Sequence, residues 1–426
     1  MSGRSAPEEP VEPAVPRHGR MPRHGAWATY GKIAAAVVAV LAISATAVVG
    51  YAAVDLLATA AVKPPVKLES EKMLENVPDI GAMEGGLNFL LVGSDKRPDD
   101  GAFGDPEEES AVLNDVTMLL HISQDHSHVE VVSFPRDMLV DVPECVDPNN
   151  PEGERLSALS ETRMNEVLSW GGFGCVAATI EQLTGVQIPV GGIVEFYGVA
   201  ALSSAIGGVD VCVVDRIEDP YTGLFLDPGT HSLQGMDALA FLRTRHGVGD
   251  GSDLGRISNQ QTFLASLMRT MQSSGTLGDP VKLYSIAKAV LSNMTLSTAL
   301  QNPAQLMAIA RTLQDIDLSK IVFVQYPTVY TDGFSAVVPA ESAQALNAAL
   351  VADHPIAIDP NATNSSDFGT VTDPNAPAQP EAPATEAPTT DAPPTAAPTT
   401  PPADALPSDV TGQTAADVRC SSANEG

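Results

Sequence analysis

Leu87-Asn88-Phe89-Leu90-Leu91-Val92 is a short apolar run stopped by Gly93, the pattern of a buried strand that empties into a turn. Thr117 to Ile122 and Val129 to Phe134 read the same way, and the polar stretch Ser123 to Ser127 between them predicts a hairpin. Helical periodicity follows. Asn165 to Trp170, Cys175 to Leu183, Phe196 to Ile206, Met236 to Thr244 and Asn259 to Ser273 carry apolar residues at three-to-four spacing. Val209 to Val214 and Ile321 to Val324 predict further strands. Strands alternating with helices give a mixed α/β class, a central β-sheet flanked by helices over residues 87–350, and no fixed-period repeat is visible.

The two ends of the chain follow other rules. Ile33 to Val54 is an uncharged, mostly apolar run, long enough at about 1.5 Å per residue to cross roughly 30 Å of hydrocarbon. It predicts one transmembrane helix. Arg4, Arg17, Arg20, Arg23 and Lys32 precede it, so residues 1–32 are expected in the cytoplasm, with a linker (55–86) and the α/β domain outside. A cleaved signal peptide is the alternative, supported by Ala58-Thr59-Ala60, but the apolar core of such peptides is only about 7 to 15 residues.

Residues 351–426 read as a disordered acidic tail. From Pro355 onward it holds thirteen of the 34 prolines, and Arg419 is its only basic residue. Too few apolar side chains remain there to offset chain entropy. The whole chain has 23 Lys+Arg against 53 Asp+Glu, a formal charge of −30, which argues against nucleic-acid binding.

All four cysteines fall on the exported side, where disulfides persist. None forms a CxxC pair, so zinc is not expected, and three complete pairings are open. Cys145 with Cys175 is the preferred bridge, because both flank one candidate loop. Cys420 is expected free in the tail and Cys212 buried and unpaired in its strand.

The polar residues that interrupt the pattern carry the candidate chemistry. Asp95 stands just past a strand, where open α/β sheets place ligands, although a lone GxD more often caps a turn. Asp115 opens the next strand and Arg136 follows the third. The densest group is Arg243 and Arg245, a glycine-rich loop, then Asp253, Arg256 and Gln260 at helical spacing. In so acidic a chain, clustered guanidinium groups suggest a bound anion, since their forks match phosphate oxygens. Two aspartates near phosphate suit Mg²⁺. The competing reading is structural, with these arginines paired to Asp137, Asp250 and Asp253. The stripe of Phe196, Val199 and Ile206 with Ile193, Tyr197 and Ala200 reads by pattern as core.

GSDKR after a strand, NDVTMLLHIS, VVSFPRDMLVDVP, RMNEVLSWGG, IGGVDVCVV and RTRHGVGDGSDLGRISNQQTFL occur in an order that resembles the LytR-CpsA-Psr family of cell-envelope proteins. The resemblance implies a membrane-anchored phosphotransferase that moves an anionic glycopolymer from polyprenyl pyrophosphate to peptidoglycan through a phosphodiester. It implies that Asp95 and Asp115 hold Mg²⁺, or Mn²⁺ in its place. Arg136, Arg243, Arg245 and Arg256 would bind pyrophosphate, Asp253 and Gln260 would order the cluster, and the polyprenyl chain would lie in an apolar tunnel. Leu113 and Asn259 stand where the family commonly has arginine, with Arg97 the expected substitute for the first. Phosphoryl transfer needs positioning and charge compensation rather than a covalent nucleophile, which agrees with this residue set. The rival expectations are a pyrophosphatase or lipid binder using the same site, and a non-enzymatic anchored scaffold or regulator.

Overall fold

In the computed structural model, which describes residues 26–76, 86–96, 112–249, 251–273, 276, 278–333, 335–359 and 406–424, the three apolar runs are adjacent strands. Strand β1 (Leu87–Ser94) pairs antiparallel with β2 (Asn114–Ile122), and β2 pairs antiparallel with β3 (Val129–Phe134). Val190–Val194 runs parallel to β1 and Ile321–Gln325 parallel to β3. Met294–Leu296 and Gly412–Thr414 close the two edges antiparallel, giving a mixed seven-stranded sheet. The alternation of side chains along each strand divides the core in two. Leu90, Val92, Leu119, Val132 and Phe134 face one cluster, while Leu87, Met118, Ile122, Val129 and Val131 face the other.

The helices cover these faces. After α1 (Ala26–Ala60) come α2 (Val167–Thr184), α3 (Phe196–Ile206), α4 (Met236–Arg243), α5 (Asp253–Gln272) and α6 (Pro280–Asn293). The two helical stretches expected over 165–183 form a 3-10 turn at Met164–Glu166 and the single kinked α2. The kink lies at Gly171 and Gly172, and Gly172 has φ +69°. A Cβ on Gly171 would lie 2.0 Å from Cys175 Sγ, so the Cys145–Cys175 disulfide requires that glycine. Helix α5 begins six residues before the expected start. Ser252 caps it by accepting from the amides of Leu254 (3.1 Å) and Gly255 (3.3 Å).

A smaller sheet of Gly229–Leu233, Val209–Val213 and Cys420–Ser421 packs its own core, including Val211, Phe241 and Phe263, beside the large one. Its third strand corrects the expectation of a wholly disordered tail and of free cysteines. Cys420 is bonded to Cys212, and Leu406, Val410 and Ala415 are buried. The bridge and these few apolar residues anchor residues 406–424, which average composition concealed; residues 360–405 lie outside the described residues. The expected linker also changes. Leu68 is buried in the main core and the Val66 amide donates to Leu296 O at 3.0 Å, so its first part belongs to the domain.

Among the described residues, 26–54 form a separate unit. Within α1, Trp27–Ala60 is long and apolar enough to cross a membrane.

Candidate active site

A cavity of about 390 Å³ opens at the carboxyl end of β1, between the sheet and helices α3, α4 and α5. Helix α5 shows how the sequence builds it. Arg256, Gln260, Phe263, Leu264 and Leu267 all line the cavity. At about 100° per residue they fall on one stripe, and the roughly 1.5 Å rise carries that stripe about 16 Å from a cation to an aliphatic side chain. Strands β1 and β2 repeat the gradient, from Ser94 to Leu91 and from Asp115 to Met118. Opposite them, α3 contributes Phe196, Val199, Leu202 and Ile206. The cavity is therefore polar at its mouth and apolar in its depth. Phe196, Val199 and Ile206 face this space rather than packed core, whereas Ile193, Tyr197 and Ala200 do not line it.

Of the residues singled out in the sequence, Asp115, Arg136, Arg243, Arg245, Arg256 and Gln260 line the mouth together. Arg136 and Arg256 are held by acids. Arg136 Nη1 donates to Asp115 Oδ1 at 2.7 Å, and its Nε lies 3.8 Å from Asp253 Oδ1 and 3.6 Å from Asp137. Burial works to lower the Arg136 pKa, but these three carboxylates keep it above the ordinary guanidinium value. Arg256 Nη2 lies 2.6 Å from Asp253 Oδ1 and donates to Asp115 O at 2.8 Å. Asp253 also accepts the Arg136 amide at 3.2 Å, so it ties the loop after β3 to the start of α5.

Arg243 and Arg245 are held differently. The Arg243 guanidinium lies 4.4 Å from the centre of the Phe196 ring, and Arg245 Nε donates to Gly251 O at 3.3 Å. Arg245 is placed from behind by Asp219, a residue that the sequence reading missed. Asp219 Oδ2 accepts from Thr244 Oγ1 at 2.6 Å and from the Arg245 amide at 3.2 Å. Burial pushes the Asp219 pKa up, but hydrogen bonds from the Thr244 hydroxyl and the Arg245, Tyr221 and Thr222 amides hold it below the usual carboxylate value. Glu195, Tyr221 and Leu239 also line the cavity and were not anticipated: Glu195 immediately precedes α3, Tyr221 lies in a turn, and Leu239 is one apolar residue among several within α4, with no motif marking any of them.

Gln260 Nε2 donates to Leu242 O at 3.0 Å, fastening α5 to α4. Asp95 lies at the end of β1, where its Oδ1 accepts the Leu113 amide at 2.7 Å, and is not in the cavity wall. Arg97 lies outside the described residues. Asn259 is buried away from the cavity, donating to Phe241 O at 2.8 Å and accepting from Ser421 Oγ at 2.6 Å. Its departure from the family pattern thus bears on the C-terminal segment. Among the described residues no group of three or more His, Cys, Asp or Glu side chains is suited to a metal. Asp95 and Asp115 stand at adjacent strand ends, where Ser94 pairs with Asn114, and their Oδ1 atoms accept from the Leu113 amide and from Arg136 Nη1.

Fold and site together define a mixed α/β domain with an arginine-mouthed apolar cavity. The sequence model of the LytR_cpsA_psr family matches residues 53–351, and the chain belongs to that family. It is 30% identical over 280 residues to the cell wall biosynthesis protein LcpA of Corynebacterium glutamicum, covering 60% of this chain and 53% of that protein. The chain spans about half the length of the corynebacterial relatives it matches. It is 24% identical over 304 residues to the polyisoprenyl-teichoic acid–peptidoglycan teichoic acid transferase TagT of Bacillus subtilis, covering 69% of this chain and 86% of TagT. In fold it is similar to a LytR-Csp2A-Psr enzyme from Actinomyces oris, with a TM-score of 0.50 and 21% identity, covering 68% of this chain and 96% of that one.

Proposed function

We propose that this protein transfers an anionic glycopolymer from a polyprenyl-pyrophosphate carrier to peptidoglycan, forming a phosphodiester. The observation that carries this reading is the gradient within one cavity, from Arg136, Arg243, Arg245 and Arg256 at the mouth to Leu202, Ile206 and Leu267 in the depth. A pyrophosphate bonded to a long apolar chain needs that combination. Aliphatic walls bury the hydrocarbon at about 25 cal/mol per Å². Guanidinium groups offset charge on the phosphate oxygens as the bond to the leaving phosphate breaks. Asp253 holds Arg136 and Arg256 in place, and Asp219 does the same for the Arg245 backbone. Asp95 and Asp115 would hold Mg²⁺, which when bound supplies further charge compensation at the pyrophosphate. Helix α1 is read as a single membrane anchor with the N-terminus cytoplasmic and the domain outside.

The test is a transfer assay with the full chain, a synthetic polyprenyl-pyrophosphate glycan and peptidoglycan fragments. Glycan covalently attached to peptidoglycan is the expected product, lost on chelation and in Asp95→Ala. Glycan phosphate released to water would identify a pyrophosphatase instead. Full activity of Asp95→Ala in the presence of chelator would remove the metal from the reading.

A further inference from the structure

Helix α5 carries a second polar stripe. Thr262, Ser266, Arg269, Thr270 and Ser273 recur at four-, three- and one-residue steps on a face roughly 120° round from the Arg256–Leu267 stripe. They open into a separate cleft of about 350 Å³, whose other walls are the small sheet and the C-terminal segment with Arg419. Asp210 lines it as well, so two arginines and one carboxylate share the cleft with a row of hydroxyls. Thr262 and Ser266 are buried and Arg419 is only 4% exposed.

Arg269 is held in position by backbone carbonyls. Arg269 Nη1 donates to the carbonyls of Ala415 and Asp417, both at 2.8 Å. Asp417 is the carboxylate that acts electrostatically on both guanidinium groups, and burial nonetheless holds both pKa values below the ordinary one. The hydroxyls of Thr262 and Thr270 donate to helix carbonyls at 3.1 and 2.9 Å, and Ser266 donates to Asp210 O. Their oxygens are thus left as acceptors.

We infer that this cleft is a second anion site, in which Arg269 and Arg419 bind a phosphate or carboxylate and the α5 hydroxyls accept from hydroxyl groups on its carrier. An acidic sugar unit has that chemistry, and so, without the carrier, does a free phosphate ion. Because Arg419 comes from the chain end and Arg269 from α5, the bound anion would also fasten one to the other. The site is distinct from the donor cavity and stands whether or not the transfer reaction does.

The test uses the full chain in detergent, titrated with inorganic phosphate and with glucose 6-phosphate at constant ionic strength, read by calorimetry and melting temperature. The Arg245→Ala background removes a guanidinium from the donor cavity. Both ligands should still bind and raise the melting temperature there by mass action. Arg419→Gln should weaken binding at least tenfold, and Thr262→Val, which leaves the arginines in place, should weaken glucose 6-phosphate more than phosphate. Equal affinities for the two ligands in the parent would assign the cleft to the free ion. Binding lost in Arg245→Ala but kept in Arg419→Gln would place the anion in the donor cavity and overturn the inference, as would no binding in either.

Discussion

The four arginines around the cavity mouth divide into two pairs that share a charge but differ in what holds them. Arg136 and Arg256 are set among Asp115, Asp137 and Asp253, whereas Arg243 rests on an aromatic ring and Arg245 on a carbonyl. The first pair is part of the framework. The second presents its charge to the cavity from a short helix end and a loop. The structural alternative read from the sequence thus describes Arg136 and Arg256, while anion binding by Arg243 and Arg245 belongs to the proposed function.

The largest expected effect lies in the first pair. Arg256→Ala leaves buried Asp253 without its 2.6 Å partner and should cost about 3 kcal/mol or more, seen in urea or thermal melts. Adding Asp253→Asn should recover a good part of that loss. If the double variant is no more stable than the single one, the orphaned charge is not the cause. Arg245→Ala should change stability by no more than about 0.5 kcal/mol, since its Nε gives up a single 3.3 Å contact to a loop carbonyl. Polyprenyl phosphate should nevertheless stabilise wild type and fail to stabilise this variant. A large loss of stability with ligand response intact would move Arg245 into the framework pair.

The smallest effect concerns pH. The Asp219 carboxyl is held below its ordinary value in the folded state, so its contribution to stability is complete above the unfolded pKa of about 4 and lost as pH falls through the folded value. Stability measured from pH 5 downward should decline less steeply in Asp219→Asn than in wild type. Identical slopes would mean that Asp219 does not grip Thr244 and Arg245 as the geometry shows.

Much of this was legible in the order of residues. Strands β1 to β3 and helices α3 and α4 follow from apolar period, and the motifs around Asp115, Arg136, Arg243 and Arg256 identify the walls of the mouth. What escaped has physical reasons. Val190–Val194 is a strand despite two consecutive glycines, because Gly191 must pass close to Leu90 O and the Phe173 ring, where a Cβ would come within 2.6 Å of each. The start of α5 was hidden by a glycine-rich loop running straight into it, although Ser252 was available as a cap. Asp219 works through backbone amides remote in sequence, which no local motif records. The chain end was misread because its apolar residues are few, and a single cysteine bond does work that composition cannot display.

That bond has a consequence for any cut in the chain. The Leu406 amide donates to Ala357 O at 3.0 Å, so residues 358 and 406 leave and re-enter the domain side by side, and Cys420 is bonded to Cys212. A protease that cleaves anywhere in 360–405 would therefore yield two polypeptides that still travel as one protein. Electrophoresis without reductant should show no loss of mass from such a nick, and only thiol treatment should release the C-terminal piece. Nicked in this way, the protein would retain Arg419 in its cleft and Ser421 against Asn259.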